Sequence, residues 1–209
     1  MEQKERHRRL RLLVGKLNKE RKVQAKKIDI LCNDFISAQR NFIKRLGAIG
    51  FAAGFYESIV GKTDLNELLN SAGKLIETEA FGAAITFVLR QTEGFKLHML
   101  KSEKPISLQD RCLENCFTSE LVDNICKSNK VCTLDDMFTM GLQGNPTILK
   151  RICAVTVPLG RAGSSIGFVL ICRSAEEGLT VDELNNILAI TPGLARAIKS
   201  CQALCHLCD

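Results

Sequence analysis

The sequence predicts an α+β domain in which one antiparallel sheet of five to six strands carries helices on one face and follows a long N-terminal helix. Three observations support this fold class. Apolar residues recur at helical spacing from Lys4 to Leu46, two pairs of apolar segments are separated by short turns, and helical segments flank these pairs. The 209 residues suffice for one domain and an extension of roughly fifty residues.

Composition and charge exclude several classes of protein. Hydrophobic residues at 45% and charged residues at 25% are globular values, which exclude a disordered or collagen-like chain. The net charge is +6, and residues 1–27 alone hold eleven Lys or Arg against three Glu, so the basic excess lies in the extension. The N-terminus lacks a signal-peptide core and no apolar stretch is long enough to span a bilayer. We therefore expect a cytoplasmic protein whose ten cysteines are mostly free thiols, with no membrane partner.

The first 60 residues predict one helix that dimerises. From Lys4 to Leu46 there is no proline and one glycine, and steps of three, four and eleven residues keep an apolar stripe on one face. The stripe consists of Leu10, Leu13, Leu17, Ile28, Leu31, Phe35, Ala38 and Phe42. A helix of about 60 Å cannot bury this stripe on one small domain, so we expect a coiled-coil homodimer through residues 1–60, with a separate domain at 61–209. The alternative is a solvated charged helix that lies on its own domain.

Periodicity, capping residues and turns predict the remaining elements in order. They are a helix over 64–79, strands over 83–89 and 95–100, a helix over 118–128, a short strand over 131–134, an irregular loop over 135–149, strands over 152–159 and 165–172, and a terminal helix from Thr180. Pro192-Gly193 predicts a break, with one helix to Ile190 and another from Pro192.

This order of elements, together with four segments, resembles a known family. The segments are Leu121–Val131, Ala154–Leu159, Ile166–Leu170 and Leu179–Leu184. Residues 64–204 resemble a GAF domain, the small-molecule sensing module of signalling proteins, and a GAF/PAS-like fold is implied. The long helix resembles the signalling helix through which GAF proteins dimerise. The Asn-Lys-x-Phe signature of cyclic-nucleotide-binding members is absent.

The resemblance implies a ligand between one face of the sheet and its helix–loop cover. The candidate pocket residues are Phe87, Leu97, Met99, Phe117, Met137, Phe138, Met140, Cys153 and Val155. Flexible, polarizable methionines in the loop could adapt to an apolar or flat ligand. Plain core packing beneath a loop is the alternative. The sequence does not identify the ligand or a downstream signalling partner.

Cysteines supply two further hypotheses. Thiols in the cover region could form a redox pair; the candidates are Cys112, Cys116, Cys126 and Cys132. The resemblance also implies one enzyme as an alternative, a thiol-dependent reductase like free methionine-R-sulfoxide reductase, whose motif is not matched here. Near the carboxyl terminus, Cys201, Cys205 and Cys208 share one helical face. They could hold a zinc ion or an iron–sulfur cluster across a dimer, but core packing is the preferred interpretation.

The basic helix supports a nucleic-acid-binding regulator as the remaining alternative. Its candidate phosphate contacts are Arg8, Arg9, Arg11, Lys22, Lys26 and Lys27. A solvated or partner-facing helix explains the same charges. No arrangement of residues typical of a catalytic triad, a phosphate-binding loop or a zinc protease is present. The sequence therefore predicts a sensory or regulatory module without enzymatic activity.

Overall fold

The computed structural model describes residues 2–91, 94–100, 116–145, 149, 151–161 and 164–208. The chain forms two compact units, Met1–Ile49 and Gly50–Asp209. The first unit consists of most of helix α1, which extends over Glu2–Ile59. The sequence predicts a boundary after residue 60, whereas the second unit begins at Gly50. Phe55 and Ile59, at the end of α1, are buried in the core of the second unit.

With one additional short helix, the helices and strands of the second unit follow the predicted order. After α1 they are α2 (Leu65–Glu79), β1 (Ala84–Arg90), β2 (Phe95–Met99), α3 (Ser119–Ser128), β3 (Cys132–Thr133), α4 (Leu134–Thr139), β4 (Ile152–Leu159), β5 (Gly167–Ser174), a 3-10 turn (Ala175–Glu177) and α5 (Val181–Cys208). No helix over the described residues is long and apolar enough to cross a membrane.

The five strands form one antiparallel sheet in the order β2-β1-β5-β4-β3. Phe87 of β1 lies opposite Val169 of β5, which lies opposite Val157 of β4, so these three side chains form a row on one face. Val88 and Phe168 are paired on the other face. The register therefore assigns alternate residues of each central strand to two different cores.

Helices cover both faces of the sheet. The helix-bundle face is packed by the end of α1, by α2 and by α5, and the α3–α4 face by α3 and α4. The α+β fold with an antiparallel sheet is confirmed, but the helices are not restricted to one face as expected. The reason lies in the central strands: β1, β4 and β5 are buried at nearly every position, so both faces need an apolar cover.

Capping residues begin α2 and α3 where the sequence predicts. The backbone N–H of Glu67 donates to Asp64 Oδ1 at 2.7 Å, and that of Leu121 donates to Thr118 Oγ1 at 3.2 Å. Each bond satisfies an amide that has no partner within the helix. Helix α3 ends at Asn129, whose φ of 46° places it in the left-handed region.

Helix α4 lies in the segment for which the sequence predicts an irregular loop. It is started by a capping box: the Thr133 N–H donates to Asp136 Oδ2 at 2.8 Å, and the Asp136 N–H donates to Thr133 Oγ1 at 3.4 Å. The Thr-x-x-Asp pattern was visible in the sequence. The helix is six residues long, too short to produce a readable apolar period.

Helix α5 is continuous through Pro192, so the predicted break is wrong. Proline cannot donate to the carbonyl four residues before it, which is that of Leu188. The hydroxyl of Thr191 donates to this carbonyl instead, at 2.9 Å. Gly193 also has a packing role, because a Cβ there would overlap the ring of Tyr56. The Pro-Gly pair is accommodated by one hydroxyl and one close helix contact.

Candidate functional site

The α3–α4 face is the part of the fold where the family resemblance places a ligand. Helix α4 covers it with Met137, whose side chain has no exposed surface. Beneath the helices, the rings of Phe117 and Phe168 pack with their centroids 5.8 Å apart. Leu121 and Ile125 of α3 complete this part of the cluster. In the described residues, the face is thus filled by apolar side chains.

Five of the predicted pocket residues lie on the α3–α4 face. They are Leu97, Phe117, Met137, Phe138 and Met140. Met137 and Phe117 are buried, whereas the other three are half-buried and pack at the edge of the apolar cluster. The Met-Phe-x-Met segment lies against this face, as part of a helix instead of the predicted loop.

The remaining pocket candidates do not lie on this face. Phe87, Val155 and Cys153 pack on the helix-bundle face. The sequence interpretation grouped Phe87 with Leu97, but Phe87 lies opposite His98 and Leu97 lies opposite Val88. A register shift by one residue exchanges the two faces, which is why the grouping was wrong. Met99, on the edge strand, is 61% exposed.

Thr156 is a residue of this face that the sequence analysis missed. It lies opposite Leu170 and Cys132, which both belong to the α3–α4 cluster. Its side chain is fully buried and its hydroxyl donates to the carbonyl of Cys132 at 3.5 Å. Because side chains alternate between the two faces along β4, assigning either Ala154 or Pro158 to the α3–α4 face would have assigned Thr156 to it as well. Thr86 of β1 also lies opposite Leu170, so Thr86 and Thr156 are both buried polar side chains on this face.

A side-chain amide joins the helices that cover the face. Asn124 of α3 donates from Nδ2 to the carbonyl of Met140 at 3.2 Å, directly after α4 ends. Arg90, at the end of β1, forms an ion pair with Asp123 of α3 at 3.0 Å. These contacts hold α3 to both α4 and the sheet.

The candidate redox cysteines are mostly buried. Cys126 and Cys132 are 3% and 2% exposed, and Cys116 is half-buried, while Cys112 lies outside the described residues. Burial raises the pKa of the Cys126 thiol, against a smaller opposing effect of a hydrogen bond with Ser165. A buried thiol with a raised pKa is a poor nucleophile. This environment favours packing over redox exchange at Cys126.

The carboxyl-terminal thiols are described in part. Cys201 is 2% exposed in the core of the helix-bundle face, and its thiol donates to the carbonyl of Lys62 at 3.5 Å. The side chains of Cys205 and Cys208 lie outside the described residues. Among the side chains that are described, no three His, Cys, Asp or Glu residues are grouped as metal ligands would be.

Helix α1 exposes both its cations and its apolar stripe. The candidate phosphate contacts are all exposed; they are Arg8, Arg9, Arg11, Lys22, Lys26 and Lys27. Positions that alternate in steps of four and three residues from Leu10 to Ile49 hold apolar side chains, except that three of them hold Arg21, Gln24 and Arg45. In heptad terms, position a holds Val14, Ile28, Phe35, Phe42 and Ile49, and position d holds Leu10, Leu17, Leu31 and Ala38. Leu13 of the predicted stripe flanks this seam and is also exposed.

Comparison with solved structures identifies the fold of this chain. The GAF domain of an Acinetobacter phosphoenolpyruvate-protein phosphotransferase is similar with a TM-score of 0.55 at 10% identity, covering 76% of this chain and 97% of that one. The chain has a GAF-like fold. The GAF domain of the cyanobacteriochrome TePixJ matches 68% of this chain and 93% of its own, with a TM-score of 0.50 at 14% identity.

A third similar structure is a fragment of a methyl-accepting chemotaxis protein. Residues 122 to 287 of a methyl-accepting chemotaxis protein match 74% of this chain and 99% of that fragment, with a TM-score of 0.50 at 12% identity. No family model matches the sequence, and no curated protein is similar to it in sequence. The likeness is therefore one of structure, and it establishes the GAF-like fold.

Proposed function

We propose that this GAF-like protein is a sensory or regulatory module that forms a homodimer through α1 and binds a small ligand on the α3–α4 face. The observation that carries the proposal is the exposed heptad stripe on a helix of 58 residues that ends in the core of the GAF-like unit. A stripe of this length exposed to water favours association, since burial of apolar surface is the main driving force for helix pairing.

The residues of the stripe favour a parallel two-stranded coiled coil. Position a is rich in β-branched and aromatic residues and position d in leucine, a combination that favours two parallel strands when a is β-branched. Gln24 lies at position d, where two copies would meet at the same level and exchange amide hydrogen bonds that define the register. Arg21 and Arg45 interrupt the stripe, and their long side chains can reach solvent from a seam position.

Ligand binding is supported by the chemistry of the α3–α4 face. Met137 and Met140 give the cover flexible apolar side chains, and Thr156 supplies a polar atom beneath it. The chemotaxis-protein and cyanobacteriochrome neighbours have the same fold, which is consistent with a sensing role for this chain. Binding would stabilise one arrangement of the cover and alter the packing of the sheet beneath the helices.

Light scattering after gel filtration tests the dimer. We expect the wild-type chain to have the mass of two copies and Leu31→Glu to have the mass of one, because the substitution places a carboxylate on the seam. Ile30→Glu is the matched control: Ile30 is adjacent and similarly exposed, at 60% against 66% for Leu31, but it lies off the stripe. A monomeric wild-type protein, or equal effects of the two substitutions, would contradict the proposal.

A further inference from the structure

A cationic cleft lies between the β4–β5 turn and the middle of α5. It has a volume of about 280 Å³ and is lined by Arg161, Ser164, Pro192, Ala195, Arg196 and Lys199. Helix α5 covers the helix-bundle face, so this cleft is separate from the α3–α4 face to which a ligand is assigned above. Three of its side chains carry a positive charge, and none of its lining residues is acidic.

The β4–β5 turn and helix α5 each supply cationic side chains to one wall of the cleft. On the turn, Gly160 has a φ of 131°, and a Cβ there would come within 2.9 Å of the carbonyl oxygen of Ser164. The Ser164 N–H donates to the carbonyl of Arg161 at 2.9 Å, which closes the turn. On α5, Arg196 and Lys199 are three residues apart and share a face, and Ala195 is buried at the base of that face.

The charge of the cleft is not neutralised by the described residues. None of Arg161, Arg196 and Lys199 forms an ion pair with a carboxylate in the described part of the chain. The sequence has no Asp or Glu from 152 to 174 or from 184 to 208. The acidic residue of α5 nearest to the cleft, Glu183, precedes Pro192 by nine residues, about 14 Å along a helix. Three cations around one concavity repel one another, and a bound anion would remove that cost.

We propose that the cationic cleft binds a phosphate or diphosphate group of a small molecule. Two guanidinium groups can each donate two hydrogen bonds to phosphate oxygens, and the lysine adds a third charge. Pro192 and Ala195 give the cleft an apolar wall for the remainder of the ligand. The volume lies just below the usual range for ligand pockets, roughly 300 to 1,000 Å³, and therefore suits a small compound.

NMR spectroscopy of the full-length ¹⁵N-labelled protein, titrated with inorganic pyrophosphate, tests this site. We expect saturable shifts at the backbone amides of Arg161, Ser164 and Lys199. The variant Arg161→Gln/Arg196→Gln/Lys199→Gln should lose at least about tenfold in affinity at these amides, since each substitution removes a charge-assisted contact. Arg196→Gln alone should give a smaller loss in the same direction.

A triple variant of equal charge change provides the control. Lys22→Gln/Lys26→Gln/Lys27→Gln removes three cations from α1 and should leave the shifts at the cleft unchanged. Shifts confined to α1, or the same affinity in both triple variants, would overturn the proposal. Cosedimentation with vesicles that contain phosphatidic acid identifies the source of the phosphate. If the wild-type protein cosediments and the cleft variant does not, the ligand is a lipid headgroup. If the wild-type protein binds pyrophosphate but does not cosediment, the ligand is a soluble compound. Either outcome supports the phosphate site.

Discussion

At the scale of single residues, Met137 decides whether the α3–α4 face is a closed core or an adaptable pocket. Its side chain is fully buried beneath α4 and contacts the apolar cluster below. We expect Met137→Ala to lower the free energy of unfolding by about 2 to 5 kcal/mol, because it removes buried methylenes and leaves a cavity. Urea denaturation measures this change.

Met99→Ala is the matched control for Met137→Ala. Met99 is 61% exposed, and its loss should change the free energy of unfolding by less than about 1 kcal/mol. If the α3–α4 face can accept a ligand, the Met137→Ala cavity should bind a small apolar compound that raises its thermal midpoint. A Met137→Ala variant as stable as wild type would show that the cover does not pack against the sheet.

A second prediction at this scale concerns Glu183, which caps α5 and pairs with the buried Arg173. Burial alone would raise the pKa of this carboxyl, but hydrogen bonds from the N–H and hydroxyl of Thr180 and from Arg173 outweigh burial and lower it. A lowered pKa in the folded state means stability that is present above the ordinary glutamate pKa and is lost as pH falls through the folded value.

We therefore expect Glu183→Gln to reduce the free energy of unfolding at pH 7 by about 1 to 3 kcal/mol, as for the loss of a hydrogen bond to a charged group. The difference from wild type should shrink as pH falls below about 4.5, where the unfolded chain binds a proton. Urea denaturation between pH 7 and pH 3 measures it, with the exposed Glu176→Gln as control. A difference that is independent of pH would mean that Glu183 acts through packing alone.

At the scale of elements, the continuity of α5 depends on Thr191. We expect Thr191→Val to cost about 1 to 2 kcal/mol of unfolding free energy, because the carbonyl of Leu188 then loses its donor. Thr78→Val is a matched control: the Thr78 hydroxyl also donates to a carbonyl of its own helix, that of Lys74 four residues before it, but Thr78 is exposed and no proline removes a backbone N–H there. Equal effects in thermal denaturation would show that Pro192 needs no compensation.

The elements also show what the sequence could predict and where it failed. Long periodic segments such as α1 and α2, and the hairpin of β4 and β5, were predicted because apolar period and turn residues agree over many positions. Helix α4 was missed because six residues are too few to show a period. The predicted break in α5 was wrong because the expectation that proline interrupts a helix does not consider that the Thr191 hydroxyl can donate to the carbonyl of Leu188.

The candidate site was predicted less completely than the fold. The resemblance placed Met137 and Met140 over the α3–α4 face, and both side chains lie there, shortly after the edge strand β3. Phe87 and Val155 were placed on the wrong face, since strands buried on both sides give no alternation that separates the two. Thr156 was missed for the same reason. The register between strands, which depends on the whole sheet, was needed to separate them.

At the scale of the whole molecule, the orientation of two α1 helices is the remaining prediction. A parallel dimer places position d of one helix opposite position d of its partner, whereas an antiparallel dimer separates the two copies of most residues. We expect Leu31→Cys, in a Cys32→Ser background, to form an intermolecular disulfide under mild oxidation. Non-reducing electrophoresis detects the covalent dimer.

Ile30→Cys in the same background is the control, because a thiol off the seam cannot reach its copy within the roughly 7 Å between Cα atoms that a disulfide spans. The paired result separates a coiled coil from random collision, since both positions are exposed in the single chain. Equal crosslinking at both positions would indicate collision. Crosslinking at neither, in a protein that light scattering finds dimeric, would indicate an antiparallel pair and would place the two GAF-like units at opposite ends of the dimer.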